Sequence, residues 1–214
     1  MVSAWVVTKV AYVVISIAAG LIFFYVTSPL VKSEKKQPLE ESVSLLINFV
    51  LYIWVGKILL NIDVFITDPL AILAYPSDSD AFYAATLLLF GNVIYKVKWK
   101  GLNIGTIMSS LAPVFLGSAF VYEFIEVVMN DSTLAWGHLG LLFLLLLFFL
   151  IFHERQSSVA TAGGIFTAWS LGQLILTFYL PYTTLYGYMM TRWFLVLVFI
   201  LSMTNLIQNK RLRS

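Results

Sequence analysis

The sequence predicts an all-α membrane protein that crosses the bilayer seven times as a single domain. Three observations predict it. Of 214 residues, 60% are hydrophobic and 11% charged, against about 25% charged in soluble domains, so the apolar surface needs a solvent other than water. The apolar residues fall in runs close to the ~20 residues a spanning helix requires. The basic residues gather in alternate connections between those runs, as in a chain threaded repeatedly through one membrane.

The first run, 4–27, has no basic leader and is long enough to span, so it reads as a retained helix rather than a cleaved signal peptide. The second covers 43–62 and follows a polar connection, SPLVKSEKKQPLEES. Between it and the third run, 81–97, lies DVFITDPLAILAYPSDSD, residues 63–80, with Pro69 and Pro76 around an apolar middle. That segment is too broken to span and too greasy for a solvated loop, so it is expected to dip into the interface. The fourth run is 104–129, the fifth 136–152, the sixth 163–181 and the seventh 188–207. The third and fifth are short and lie with little tilt. No internal repeat and no second domain is evident.

Charge sets the orientation. Lys32, Lys35 and Lys36 follow run one, Lys96, Lys98 and Lys100 follow run three, Arg155 follows run five, and Lys210, Arg211 and Arg213 follow run seven. The connection after run two carries Asp63, Asp68, Asp78 and Asp80 and no basic residue, and that after run four carries Asp131. The positive-inside rule then puts the amino terminus outside and the carboxyl terminus in the cytoplasm, with Arg192 as the exception.

Several chemistries are excluded or weak. A net charge of +2 gives no reason for a nucleic-acid partner, and the lack of cysteine removes disulfides, thiolate ligands and cysteine nucleophiles. His138 and His153 stand near opposite ends of run five, ~22 Å apart at 1.5 Å per residue, too far to share a metal, and each reads as an interfacial histidine. No phosphate loop, zinc-protease motif or nucleophile elbow occurs, and neither metal nor cofactor is expected. Trp99, Trp136, Trp193 and Tyr95 sit at run ends, where aromatic belts form for structural reasons.

The order of features nevertheless resembles a known family. DPLAILAYPSDSDAFYAATLLLFG, Asp68 to Gly91, then a basic turn and SLAPVFLG, Ser110 to Gly117, is similar to the prolipoprotein diacylglyceryl transferases. VGKIL at Val55 and GGIFTAWSLGQLI at Gly163 extend the likeness over most of the chain. The resemblance implies a seven-helix bacterial plasma-membrane protein with an outside amino terminus. It also implies an ancestral activity, the transfer of diacylglyceryl from phosphatidylglycerol to a lipoprotein cysteine.

The family's charged chemistry does not carry over. Tyr83, Ala84 and Ala85 stand where the family has His-Gly-Gly; Tyr122 and Glu123, with Val121, Phe124 and Ile125, replace the signature with an essential arginine. A second arginine motif is matched by Trp169, Ser170, Gly172 and Gln173, and a further segment by Ser132 to Gly137. Phosphate binding favours the guanidinium fork, and a tyrosine with a reference pKa near ~10 is a poor base at neutral pH. Tyr83, Tyr122 and Gln173 thus occupy catalytic positions without catalytic groups.

What remains is a buried polar group that reads first as a structural salt bridge, and otherwise as a pocket for a cation, a proton or a cationic ligand or as unpaired interfacial glutamates. Glu123 and Glu126 share a helix face three residues apart, and membrane-embedded charges turn toward partners or cavities. Lys57 lies at a matching depth, all three within roughly 6–11 Å of the outer surface at 1.5 Å per residue, and is the expected ion-pair partner. The candidate ligand-binding residues are therefore Lys57, Tyr83, Tyr122, Glu123, Glu126 and Gln173. The leading expectation is a non-catalytic relative that binds a membrane phospholipid, a lipidated peptide such as a lipoprotein, or a membrane protein partner. The alternatives are an enzyme, either a diverged transferase using Tyr83, Tyr122, Gln173 and His138 or one using Glu123 and Glu126 on another lipid, and a small proton-coupled transporter. The transporter lacks the expected repeat.

Overall fold

The computed structural model describes residues 4–69, 78–154 and 157–211. Among them are eight helices and one short hairpin: α1 Ala4–Thr27, α2 Lys36–Leu60, α3 Ile62–Thr67, α4 Ser79–Lys98, α5 Ile104–Asn130, α6 Ala135–Phe152, α7 Ser158–Leu176, β1 Thr183–Leu185, β2 Tyr188–Met190 and α8 Arg192–Arg211. The chain is an all-helical membrane protein. Among the described residues, α1, α2, α5, α6 and α7 are long and apolar enough to cross a bilayer, while the apolar part of α8, Arg192–Ile207, is shorter.

Helix ends follow local chemistry. Asp78 caps α4 by accepting from the Ala81 N–H at 2.9 Å, Asn103 caps α5 through the Gly105 N–H at 2.7 Å, and Ser157 caps α7 through the Ala160 N–H at 3.3 Å. The last cap explains why α7 begins at Ser158 rather than at 163, and its end at Leu176 leaves a turn before Pro181. Likewise α2 begins at Lys36, inside the connection expected to be polar loop, with Pro38 in its first turn, where a missing N–H costs nothing. The seventh apolar run was expected from 188. Its first residues form β2 instead, and α8 starts at Arg192.

The interfacial dip expected over 63–80 is helical at Ile62–Thr67, and its middle, 70–77 with Pro76, lies outside the described residues, as do Arg155 and Arg213.

Side-chain pairs fix how the helices run. Lys9, near the start of α1, meets Glu126, near the end of α5; Lys96, near the end of α4, meets Glu41, near the start of α2. His153 after α6 reaches the carbonyl of Thr27 at the end of α1. Successive long helices therefore run up and down. The core joins α4 to α8 and the hairpin through Phe82, Leu116, Leu142, Ile165, Leu185 and Leu195.

The tightest crossing is α1 on α5. A Cβ on Gly20 would strike the Val114 carbonyl oxygen and stand 2.9 Å from Ser118 Cβ, and one on Gly117 would stand 3.1 Å from Gly20 Cα. Small residues at a membrane crossing let two backbones approach without a hydrophobic drive from water.

Candidate functional site

Polar side chains collect at one end of the bundle, where α1 begins and α5 ends. Glu123 and Glu126 lie on one face of α5, within a turn of each other, and Asp131, in left-handed backbone with φ 47°, closes that helix. Glu126 is satisfied: Lys9 Nζ donates to Oε1 at 2.5 Å, and Asn130 Nδ2 donates to Oε2 at 2.8 Å. The Tyr122 hydroxyl also faces the Glu126 carboxylate.

Glu123 differs. It is 4% exposed, and among the described residues it has no ion-pair or hydrogen-bond partner within bonding distance. Its electrostatic neighbours are the like charge of Glu126 and the opposite charge of Lys9. One partly exposed lysine thus faces two carboxylates, of which Glu123 is nearly inaccessible, and this leaves surplus negative charge where charge is expensive.

The expected partner was Lys57, and the structure replaces it with Lys9. Lys57 is 5% exposed, but its Nζ stands 5.2 Å over the Trp54 ring, and Asp78 is the acid within its electrostatic reach. Matching depth was necessary but not sufficient. In contacts, α5 packs mainly on α1, whereas α2 packs more on α4, so α1 supplies the cation.

The hairpin covers this end. Thr183–Leu185 pairs antiparallel with Tyr188–Met190, and the two-residue turn, Tyr186 at φ 52° and Gly187 at φ 84°, is left-handed at both positions, as tight hairpins require. A tyrosine there is strained and needs compensation. Its hydroxyl lies 2.5 Å from Ser118 Oγ and its ring meets Tyr122 edge-on at 5.5 Å. Burial pushes the Tyr186 hydroxyl above its ordinary pKa; the Ser118 bond opposes this and the Glu123 charge adds to it. Gly187 is required twice over, because a Cβ would also stand 2.9 Å from the Tyr122 hydroxyl.

Tyr83 serves the hairpin rather than the acidic cluster. Its hydroxyl donates to Met189 O at 3.0 Å and accepts from Thr191 N at 2.9 Å and Thr191 Oγ1 at 3.1 Å. A phenol has one hydrogen and two lone pairs, so nothing is left for a ligand or a proton.

Gln173 and His138 meet between α6 and α7. His138, in the first turn of α6, is 2% exposed, and its ring abuts the Gln173 amide. His138 Nδ1, Gln173 Oε1 and Trp169 Nε1 nevertheless lack hydrogen-bond partners. Buried polar atoms of this kind normally find protein, water or ligand. Among the described residues no three His, Asp or Glu side chains converge on a point that could hold a metal.

Of the sequence candidates, Tyr122, Glu123 and Glu126 share one site, Gln173 lies beside His138, and Lys57 and Tyr83 stand apart. Sequence reasoning missed Lys9, Ser118 and Tyr186. Lys9 had a signal, a lone charge inside an apolar run. Tyr186-Gly187 between TTL and YMM had a weaker one, a hairpin turn read as helix entry. Compared with family models, curated proteins and solved structures, the chain matches none.

Proposed function

We propose that this chain is a seven-span protein of a bacterial plasma membrane, amino terminus outside, and that Lys9, Tyr122, Glu123, Glu126 and Tyr186 form a chamber which holds a ligand without transfer chemistry. To the five clear spans the reading adds α4 and α8, of 20 residues each, ~30 Å long and matched to the hydrocarbon thickness. The basic connections lie at the end opposite the chamber, which supports an outward-facing chamber.

The observation that carries the reading is Glu123, a nearly inaccessible carboxyl with no bonded partner beside a second carboxylate. An anionic headgroup is repelled there. The fitting occupant offers an ammonium or several N–H donors, as a zwitterionic lipid headgroup, a lipidated peptide or a membrane partner's lysine does. The non-catalytic part of the proposal is supported by Tyr83, whose hydroxyl is fully bonded, and by the lack of a guanidinium beside Glu123 and Glu126 among the described residues. The kinship with the diacylglyceryl transferases stays a proposal resting on the sequence order alone.

Two measurements test it. In a neutral detergent, a long-chain alkylamine should raise the melting temperature more than the alcohol of equal length, and Glu123→Gln should abolish the difference. Equal responses, or a difference that survives Glu123→Gln, would refute the ammonium site. Diacylglyceryl transfer from phosphatidylglycerol to a lipoprotein signal peptide should be absent; transfer lost in Tyr122→Phe would overturn the non-catalytic reading.

A further inference from the structure

The opposite end of the bundle holds a second polar cleft whose argument does not depend on the chamber. It lies between the end of α1, the first half of α5, the end of α6 and the start of α7, and its lining includes Thr27, Ser109, His153, Ser158 and Thr161. Its volume, ≈ 70 Å³, is far below the about 300–1,000 Å³ of pockets that enclose a whole ligand, so one polar group enters and the rest stays outside.

Thr161 is the first pointer. Four helical threonines return the hydroxyl to a carbonyl one turn back: Thr27 to Phe23, Thr86 to Phe82, Thr167 to Gly163 and Thr204 to Ile200, at 2.7–2.9 Å. Thr161 does not. It is 8% exposed, lines the cleft, and its Oγ1 has no hydrogen-bond partner. A buried hydroxyl that forgoes the bond its neighbours make is held for something else.

The second pointer is the start of α7, a helix of 19 residues. Ser157 satisfies the N–H groups of Ala160 and Thr161, through its hydroxyl at 3.3 Å and its carbonyl at 2.9 Å. Those of Ser158 and Val159 have no acceptor within the helix, and the helix dipole adds partial positive charge there. His153 completes the wall. Its Nε2 lies 3.1 Å from Thr27 O and its Nδ1 3.2 Å from Phe149 O and Leu150 O, so the ring is held by carbonyls on both sides. The nearby acid, Glu154, is 3.9 Å from His153 Nε2 with its side chain 73% exposed to screening.

An unpartnered hydroxyl and the open first turn of a helix thus adjoin a site too small for a whole ligand. We propose that this cleft binds the phosphate oxygens of a phosphate ester, with Thr161 Oγ1, the Ser158 hydroxyl and the first-turn N–H groups of α7 as donors. A phospholipid headgroup and free phosphate share this chemistry.

The test uses the full chain in a neutral detergent, with short-chain phosphatidylglycerol, diacylglycerol of equal chain length, and inorganic phosphate as probes. Phosphatidylglycerol should raise the melting temperature and diacylglycerol should not. Stabilisation by inorganic phosphate at comparable concentration would identify free phosphate as the source; stabilisation by the ester alone would identify the lipid. Thr161→Val, which deletes a hydroxyl with no partner, should melt at or above the parent temperature without probe, yet need at least tenfold more phosphate ester for the same shift. Thr161→Ser should restore the response. The proposal is overturned if no probe stabilises the protein, if diacylglycerol matches phosphatidylglycerol, or if Thr161→Val lowers the melting temperature while leaving the probe response intact.

Discussion

A single methyl group at Gly20 should separate α1 from α5. A Cβ there would stand 2.9 Å from both Ser118 Cβ and Ser118 N, besides striking the Val114 carbonyl oxygen. Carbon atoms rest at about 3.5–4.0 Å, so the Ser118 Cβ contact falls short by roughly 0.6–1.1 Å. Two of these three atoms belong to the α5 backbone, which no rotamer change can move aside. The helices must part instead, and Lys9, eleven residues up α1, moves away from Glu126. Overpacking of this kind costs about 1–3 kcal/mol, while alanine gains back up to ~1 kcal/mol of helix propensity over glycine. Gly140 in α6 isolates the first effect, because its added Cβ would meet nothing within 4 Å. Gly20→Ala should therefore melt below Gly140→Ala by about 2–12 °C, at ~2–4 °C per kcal/mol for a chain of this size. Circular dichroism in detergent reads this, and Gly20→Leu should deepen the loss. If both alanine variants melt together, the close crossing does not exist and the placement of Lys9 on Glu126 loses its support.

Other outcomes follow from the same contacts. Lys9→Met should be less stable than Lys9→Met with Glu126→Gln, because it leaves two carboxylates without a cation; the loss should stay below the ~3–5 kcal/mol of a fully buried pair, since the Lys9 side chain keeps 31% of its exposure. Equal melting of the two variants would show the pair to be solvated. Tyr83→Phe should cost about 1–3 kcal/mol, by leaving the Thr191 N–H without its acceptor, and should speed amide hydrogen exchange over 183–191; unchanged exchange there would contradict its anchoring role. Gly187→Ala should cost about 1–3 kcal/mol through left-handed strain and the Tyr122 contact, read as a lower melting temperature. Tyr186 keeps its proton in the folded chain above the pH where the unfolded chain releases it, so the unfolded state binds fewer protons and stability falls as pH rises past ~10 toward the raised value. Tyr186→Phe should make the alkaline melting curve less steep, and an identical slope would refute the burial.

The sequence by itself determined the solvent, the helical character and the approximate order of spans, because apolar run length answers to bilayer thickness and needs no neighbour. It also located Glu123 and Glu126 as an anomaly, since a charge inside an apolar run is visible in one dimension. Boundaries set by capping were less legible: the start of α7 depends on Ser157, and a hydropathy window averages over such a residue. Which cation meets Glu126 was not legible at all. Lys57 and Lys9 both had suitable depth, and the choice fell to the pairing of α1 with α5, set by the close fit of Gly20 against Gly117 and Ser118. The role of Tyr83 was likewise hidden, because its three hydrogen bonds run to residues more than a hundred positions away. Depth in a membrane is a property of one segment and can be read from its sequence. Azimuth, the direction a side chain faces around its helix axis toward one neighbour or another, is settled only when several helices pack at once.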